Sequence, residues 1–122
     1  MKVISPRIHG YLDFLTVVIF LLAPTLLGLS QLSAILAYSL AVVHLIVTLA
    51  SDFPFGVIKL IPFSIHGWIE RIVGPLLIAI PFILNFLDEE AARNFYIAMG
   101  IIIIIIGMLT NYQAEVRNGK IK

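Results

Sequence analysis

The chain has 122 residues, 61% of them hydrophobic and 12% charged, with a net charge of +1, a mean hydropathy of +1.08 and no cysteine. Soluble domains carry about 45–50% apolar and about 25% charged residues, so here too little polar surface remains to cover a globule. That excludes a soluble enzyme, a disordered tail and a disulfide-stapled secreted module, gives no reason to expect a nucleic-acid partner, and leaves a small integral membrane protein.

The positions of the charges set the number of spans. No Asp, Glu, Lys or Arg occurs over residues 14–51. As one helix, those 38 residues would run about 57 Å at about 1.5 Å per residue, against a hydrocarbon core of about 30 Å. Two spans and a turn are expected there. Further uncharged runs at 72–87 and 94–114 supply two more.

The first helix is expected over about 6–28, with Ser5 as N-cap and Pro6 at the first helical position, where a missing N–H costs nothing. Lys2 and Arg7 before an apolar run are reminiscent of a signal peptide. The run is long and lacks a small-x-small site, so a retained span is expected. Gly28-Leu29-Ser30-Gln31 has the composition of a turn. The second helix follows over about 32–52 and is stopped by Phe53-Pro54. The third is expected over about 64–86, capped by Ser64, and the fourth over about 90–112. Asp88, Glu89 and Glu90 place negative charge at the start of the fourth, which suits its dipole. Pro24, Pro75 and Pro81 lie inside spans and predict local kinks. The run 101–106 of isoleucines reads as packed or lipid-facing hydrocarbon.

Four spans put the N-terminus, the 53–63 loop and the C-terminus on one side. That side holds Lys2, Arg7, Lys59, Arg71, Arg117, Lys120 and Lys122, against Arg93 alone on the other. The positive-inside rule then places both termini in the cytoplasm.

The chain repeats itself. Ile8-His9-Gly10-Tyr11-Leu12-Asp13 recurs as Ile65-His66-Gly67-Trp68-Ile69-Glu70 at an offset of 57, and Pro24 and Leu27 fall on Pro81 and Leu84. After the outer loops the offset becomes 59, pairing Ser51-Asp52-Phe53 with Thr110-Asn111-Tyr112. Each repeat is one helical hairpin, over about 5–53 and about 62–112, followed by a tail at 113–122. Two hairpins entering from the same side predict an all-α membrane protein, a four-helix bundle with pseudo-two-fold symmetry about the membrane normal. A two-helix membrane repeat with a proline late in its first helix, then a short apolar stretch ending near Gly or Asn and an aromatic or Leu, resembles the SPW repeat. The resemblance covers nearly the whole chain, although Ala23-Pro24-Thr25 and Ile80-Pro81-Phe82 share only the proline of the namesake motif. It implies a small bacterial or archaeal inner-membrane protein with two copies of the repeat, and no mechanism.

The chemical candidates are few. His9/Asp13 and His66/Glu70 are i,i+4 pairs, so imidazole and carboxylate share a helix face one turn apart. Two histidines and two carboxylates could ligate a divalent metal or relay protons if they converge. Equally, each histidine could be held by its own carboxylate or a loop carbonyl, locking the hairpins together. Arg7 and Arg71 could neutralise the acids, and Gly10 and Gly67 could let helices approach. There is no Glu-x-x-His spacing of the di-iron kind. His44 is expected near the middle of helix two, where an ionisable side chain is a functional candidate, although Thr48 and Tyr38 offer it no acid partner. Ala34, Ala37 and Ala41, with Gly100 and Gly107, form small-residue stripes suited to helix packing. Tyr11, Phe53, Trp68 and Tyr112 on the cytoplasmic side, and Phe86, Phe95 and Tyr96 on the outer side, are expected as interfacial belts.

No phosphate loop, dinucleotide motif, nucleophile elbow or zinc-ligand cluster is present, so no catalytic residue, metal or cofactor is assigned. Three function classes stand: a structural or accessory protein packing with itself or with a larger membrane complex; a metal-, proton- or small-ligand-handling protein using these histidines; and a membrane enzyme or redox carrier. The first is favoured by the short loops and nearly polar-free spans. An aqueous transport path would need polar lining that the second lacks. The third has neither cysteines nor a visible nucleophile–base pair.

Overall fold

A computed structural model describes residues 2–112, and the tail at 113–122 lies outside the described residues. Four helices follow one another: α1 (Pro6–Leu26), α2 (Gln31–Leu49), α3 (Phe63–Ile83) and α4 (Glu90–Leu109). Each is long and apolar enough to cross a membrane. The expected number and order are borne out. Ser5 caps α1 as its side chain accepts from the Ile8 N–H at 3.2 Å.

The helix ends differ from expectation for identifiable reasons. α2 stops at Leu49, before Phe53-Pro54, because the following residues pair instead: β1 (Ser51–Asp52) lies parallel to β2 (Ile61–Pro62). The same pairing delivers the chain to α3 at Phe63 with Pro62 as N-cap, so Ser64 is inside the helix and caps nothing. α1 and α3 run through their internal prolines without interruption. Pro24 and Pro81 serve the helix ends, their carbonyls each accepting from an N–H five residues on, Leu29 and Phe86, at 3.0 Å. The turns need a left-handed residue, supplied by Gly28 at φ +61° and Asn85 at φ +60°.

Several element bounds follow the offsets of the sequence. α1 and α3 share bounds at an offset of 57, α2 and α4 start 59 apart, and Gly28 and Asn85 are 57 apart. The pairing of Ser51 with Ile61 has its counterpart in the parallel bridge of Thr110 with Ile4. Ile61 N–H donates to the Ala50 carbonyl at 2.8 Å, and Ile4 N–H to the Leu109 carbonyl at 2.9 Å. Each second helix therefore exits beside the strand that leads into the other repeat's first helix, and the chain closes on itself.

Backbones approach closely within the hairpins α1/α2 and α3/α4, and less so between them. At one crossing a Cβ on Gly100 would sit 2.6 Å from the Gly74 carbonyl oxygen, so α3 and α4 require glycine there. Gly10 and Gly67 have a different use from the expected helix contact. They make room for rings, Phe55 and Phe53 at Gly10 and Tyr112 at Gly67. Ala37 and Ala41 are buried in the core with Val17, Phe20, Leu77, Ile80, Met99 and Ile103. Ala34 is half-buried, and a Cβ on Gly107 would meet the Tyr112 hydroxyl at an ordinary 3.8 Å. The outward apolar side chains, such as Leu15, Val43, Ile72 and Ile105, are exposed, as a lipid-facing surface requires.

At the end away from the strands, Glu89 crosses between repeats. Its carboxylate accepts from the Ser30 N–H at 2.8 Å and the Ser30 hydroxyl at 2.5 Å, with the Ser33 hydroxyl at 3.0 Å. The acid thus serves the N-terminus of α2 rather than that of α4. Only Glu90 lies in the first turn of α4. Tyr96 strengthens the clasp, donating to the Ser33 carbonyl at 2.7 Å. Partial burial opposes ionisation of Glu89, but the hydrogen bonds from Ser30 and Ser33 outweigh it and hold the carboxyl below its usual 4.5. A lowered folded-state value means the contribution is fully present above pH 4.5 and is lost as the pH falls from there through the folded-state value. Glu89→Ala should cost about 1 kcal/mol, the scale of a lost N-cap. Detergent-solubilised thermal unfolding at neutral pH should show this loss, and the gap between wild type and variant should close in acid.

A candidate buried histidine–carboxylate site

α1 and α3 each present a histidine in the first turn and an acid one turn later, and the fold brings the two pairs together. His9 and His66 are 0% exposed, Asp13 3% and Glu70 6%. The imidazole centroids are 5.4 Å apart. His9 Nε2 lies 3.2 Å from Asp13 Oδ1 and 3.0 Å from Glu70 Oε1. His66 Nε2 lies 3.2 Å from Asp13 Oδ2 and 3.3 Å from Glu70 Oε2. The four side chains form an alternating ring in which each carboxylate spans both imidazoles.

Hydroxyls fix the orientation of both rings. Ser51 Oγ donates to the Val47 carbonyl at 2.6 Å and meets His66 Nδ1 at 2.7 Å. Thr110 Oγ1 donates to the Ile106 carbonyl at 2.6 Å and meets His9 Nδ1 at 2.8 Å. A hydroxyl has one proton, and a carbonyl can only accept. Both hydroxyls therefore accept from the imidazoles, and Nδ1 carries a proton in each ring. Any neutral form then presents a bare Nε2 lone pair to the carboxylates. Ser51 belongs to the first repeat and holds the second repeat's histidine, and Thr110 does the reverse.

Beyond this ring the repeats diverge. Tyr112 donates its hydroxyl to Glu70 Oε1 at 3.0 Å. Burial, reinforced by the Glu70 carboxylate, pushes the Tyr112 phenol above its ordinary range, so it remains a donor. Its counterpart Phe53 has no hydroxyl to offer Asp13. There His44 approaches instead, Nε2 3.4 Å from Asp13 Oδ1, with its side chain 18% exposed. The expectation that His44 lacks an acid and sits at a different depth is corrected. α2 ends at Leu49, so His44 lies toward the same end as the ring.

Two more expectations change. Among the described residues no ion pair joins Arg7 or Arg71 to either acid. Arg7 lies over Phe55 at 5.8 Å, and Arg71 over Trp68 at 4.9 Å and Tyr112 at 5.6 Å. Phe53 and Tyr112 are not belt residues. With Phe63 they form a buried aromatic lid on the ring, Phe63 lying 5.4 Å from His9 and 5.5 Å from His66 between centroids. Phe86 and Tyr96 are likewise buried, while Tyr11 and Trp68 are exposed as a belt requires. Ser51, Thr110, Tyr112 and Phe63 were not singled out as site residues from the sequence. The first three carried a signal, since they belong to the triplets that repeat at 59.

The family model of the SPW repeat domain matches residues 7–110, and the chain belongs to that family. No curated protein and no solved structure matches it.

Removing either hydroxyl strands a buried N–H. Ser51→Ala and Thr110→Val should each lower stability by about 1–3 kcal/mol. Thermal unfolding in detergent reads the loss. The proton on Nδ1 should be visible in the imidazole nitrogen shifts of the wild type and change for His66 in the first variant and His9 in the second.

Proposed function

We propose that this SPW repeat protein is a structural or accessory component of a bacterial or archaeal cytoplasmic membrane, packing with itself or with a larger membrane complex and catalysing no reaction of its own. The observation that carries the reading is the distribution of polarity. Most buried polar side chains gather at the two ends, in the histidine–carboxylate ring with its hydroxyls and in the Glu89 clasp, and Thr16, one turn inward of Asp13, spends its hydroxyl on the Leu12 carbonyl. Between them lies an apolar core of Val17, Phe20, Leu77, Ile80, Met99 and Ile103. A conducting path needs polar lining along its length, and this arrangement favours a sealed scaffold.

The reading includes a pseudo-two-fold axis along the membrane normal, supported by the matched pairings of Ser51 with Ile61 and Thr110 with Ile4. It also places the ring end at the cytoplasmic face, supported by Lys2, Arg7, Lys59 and Arg71 there against Arg93 at the other end. A second reading, in which the protein handles a metal ion or protons, is favoured by one observation, the convergence of His9, Asp13, His66 and Glu70.

Native mass spectrometry of the protein extracted in mild detergent tests the scaffold role. A stoichiometric complex or a defined homo-oligomer is the expected result, and a bare monomer in every mild detergent would overturn it. Orientation has a separate test, because the chain has no cysteine. In intact cells, a membrane-impermeant thiol reagent should label Asp88→Cys and spare Lys59→Cys.

A further inference from the structure

We propose that His9, Asp13, His66 and Glu70 form a binding site for one divalent transition-metal ion of the zinc class, each repeat contributing one imidazole and one carboxylate. The inference goes beyond the scaffold reading and stands independently of it.

Proton counting is the first argument. The ring contains four Nε2-to-oxygen contacts of 3.0–3.3 Å. Each imidazole has a single Nε2 position, so at most two N–H groups can serve four contacts. Only His66 Nε2 to Glu70 Oε2 is aligned as a hydrogen bond. His9 Nε2 and Asp13 Oδ2 are buried without any hydrogen-bond partner, although both face the ring. Buried polar atoms of this kind are costly unless something satisfies them. A cation inside the ring satisfies all four residues together.

Geometry is the second argument. One ligand atom from each of the four residues can be chosen so that all lie within 4.8 Å of one another. Zinc bonds of about 2.0–2.1 Å in a tetrahedron place ligands about 3.3 Å apart. Each carboxylate oxygen already stands 3.0–3.3 Å from one of the two imidazoles; with one oxygen taken from each acid, the remaining separations must contract.

The supporting groups form the third argument. A metal-bound histidine donates its other ring N–H to an oxygen that fixes its tautomer. Ser51 and Thr110 do this here, leaving both Nε2 atoms directed at the carboxylates. Tyr112 hydrogen-bonds Glu70 from behind and so orients that acid, and His44 Nε2 lies 3.4 Å from Asp13 Oδ1 without a hydrogen bond. A small cavity of about 60 Å³, walled in part by His44 and Glu70, adjoins the ring. Charge agrees as well: two carboxylates with neutral imidazoles carry −2, which a divalent ion cancels in an apolar setting. Two imidazoles suit zinc and its neighbours, whereas magnesium and calcium prefer all-oxygen sites.

The test uses the full chain in mild detergent, stripped with a chelator and titrated with Zn²⁺ alone or with Co²⁺ as a spectroscopic probe. One equivalent per chain is expected, with the intense visible absorption of four-coordinate cobalt. His66→Ala and Asp13→Asn should abolish it. Ser51→Ala, Thr110→Val and His44→Leu should retain one equivalent but weaken affinity about 10–100-fold, which keeps the inference testable if the ligand variants fail to fold. A folded wild type that takes up neither ion would overturn the inference, making the ring a pair of imidazolium–carboxylate contacts. Binding unchanged in Asp13→Asn or His66→Ala would also overturn it, by locating the ion elsewhere. The oligomeric state of the stripped protein, read by native mass, reports on the scaffold role separately.

Discussion

The structure depends on two hydroxyls that have already given their protons away. Ser51 and Thr110 each donate to the carbonyl four residues earlier, so each can only accept from the histidine it meets. That choice propagates. It sets the tautomer of both imidazoles and turns both Nε2 atoms toward the acids. The same two residues carry the short strand pairings, since Ser51 and Thr110 are the residues that pair with Ile61 and Ile4.

The membrane makes such a polar junction useful. Between water-soluble hairpins, apolar contact alone provides a strong drive. In lipid it does not, because acyl chains are as apolar as leucine, and association relies on close packing and on polar contacts between helices. Within each hairpin, packing suffices: Gly74 and Gly100 bring α3 and α4 together, and Ala37 and Ala41 sit in the core. Between the hairpins the backbones stand further apart. The ring at one end and the Glu89 clasp at the other then decide which faces meet and in what register. Both devices cross the repeat boundary, so neither is satisfied inside a single hairpin.

What could be read from the sequence is what repeats locally. The i,i+4 His–acid pairs, the late prolines, the Gly or Asn turn and the four spans all lie within one turn or one helix, where spacing alone determines the relation. What could not be read is what crosses between repeats. Glu89 at the head of α4 looks like that helix's own dipole partner, yet it caps α2. Phe53 and Tyr112 near helix ends look like interfacial belts, yet the strand pairings fold them inward over His9 and His66. Arg7 and Arg71 are close in sequence to the acids, yet helical geometry sends them outward onto aromatic rings. His44 stands nearer the ring than a helix over about 32–52 implies, because α2 ends at Leu49 where Ser51 and Asp52 pair as a strand.

The departures from symmetry are informative because the repeat supplies its own control. Every polar partner of an imidazole is duplicated: a hydroxyl on Nδ1 and two acids at Nε2. The partners of the acids are not duplicated. Glu70 receives a phenol from Tyr112, where the other repeat has Phe53. Asp13 receives His44, where the other repeat has Ile103. Removing one member of a buried charged set leaves the others uncompensated, at a cost of about 3–5 kcal/mol, so drift at the four ring positions is heavily penalised. Drift at the outer positions is cheaper. The two halves therefore surround their buried carboxylates with unrelated side chains, a hydrogen-bonded phenol at Glu70 and a nearby imidazole at Asp13. The inner four are bound by a shared constraint that neither half can meet alone.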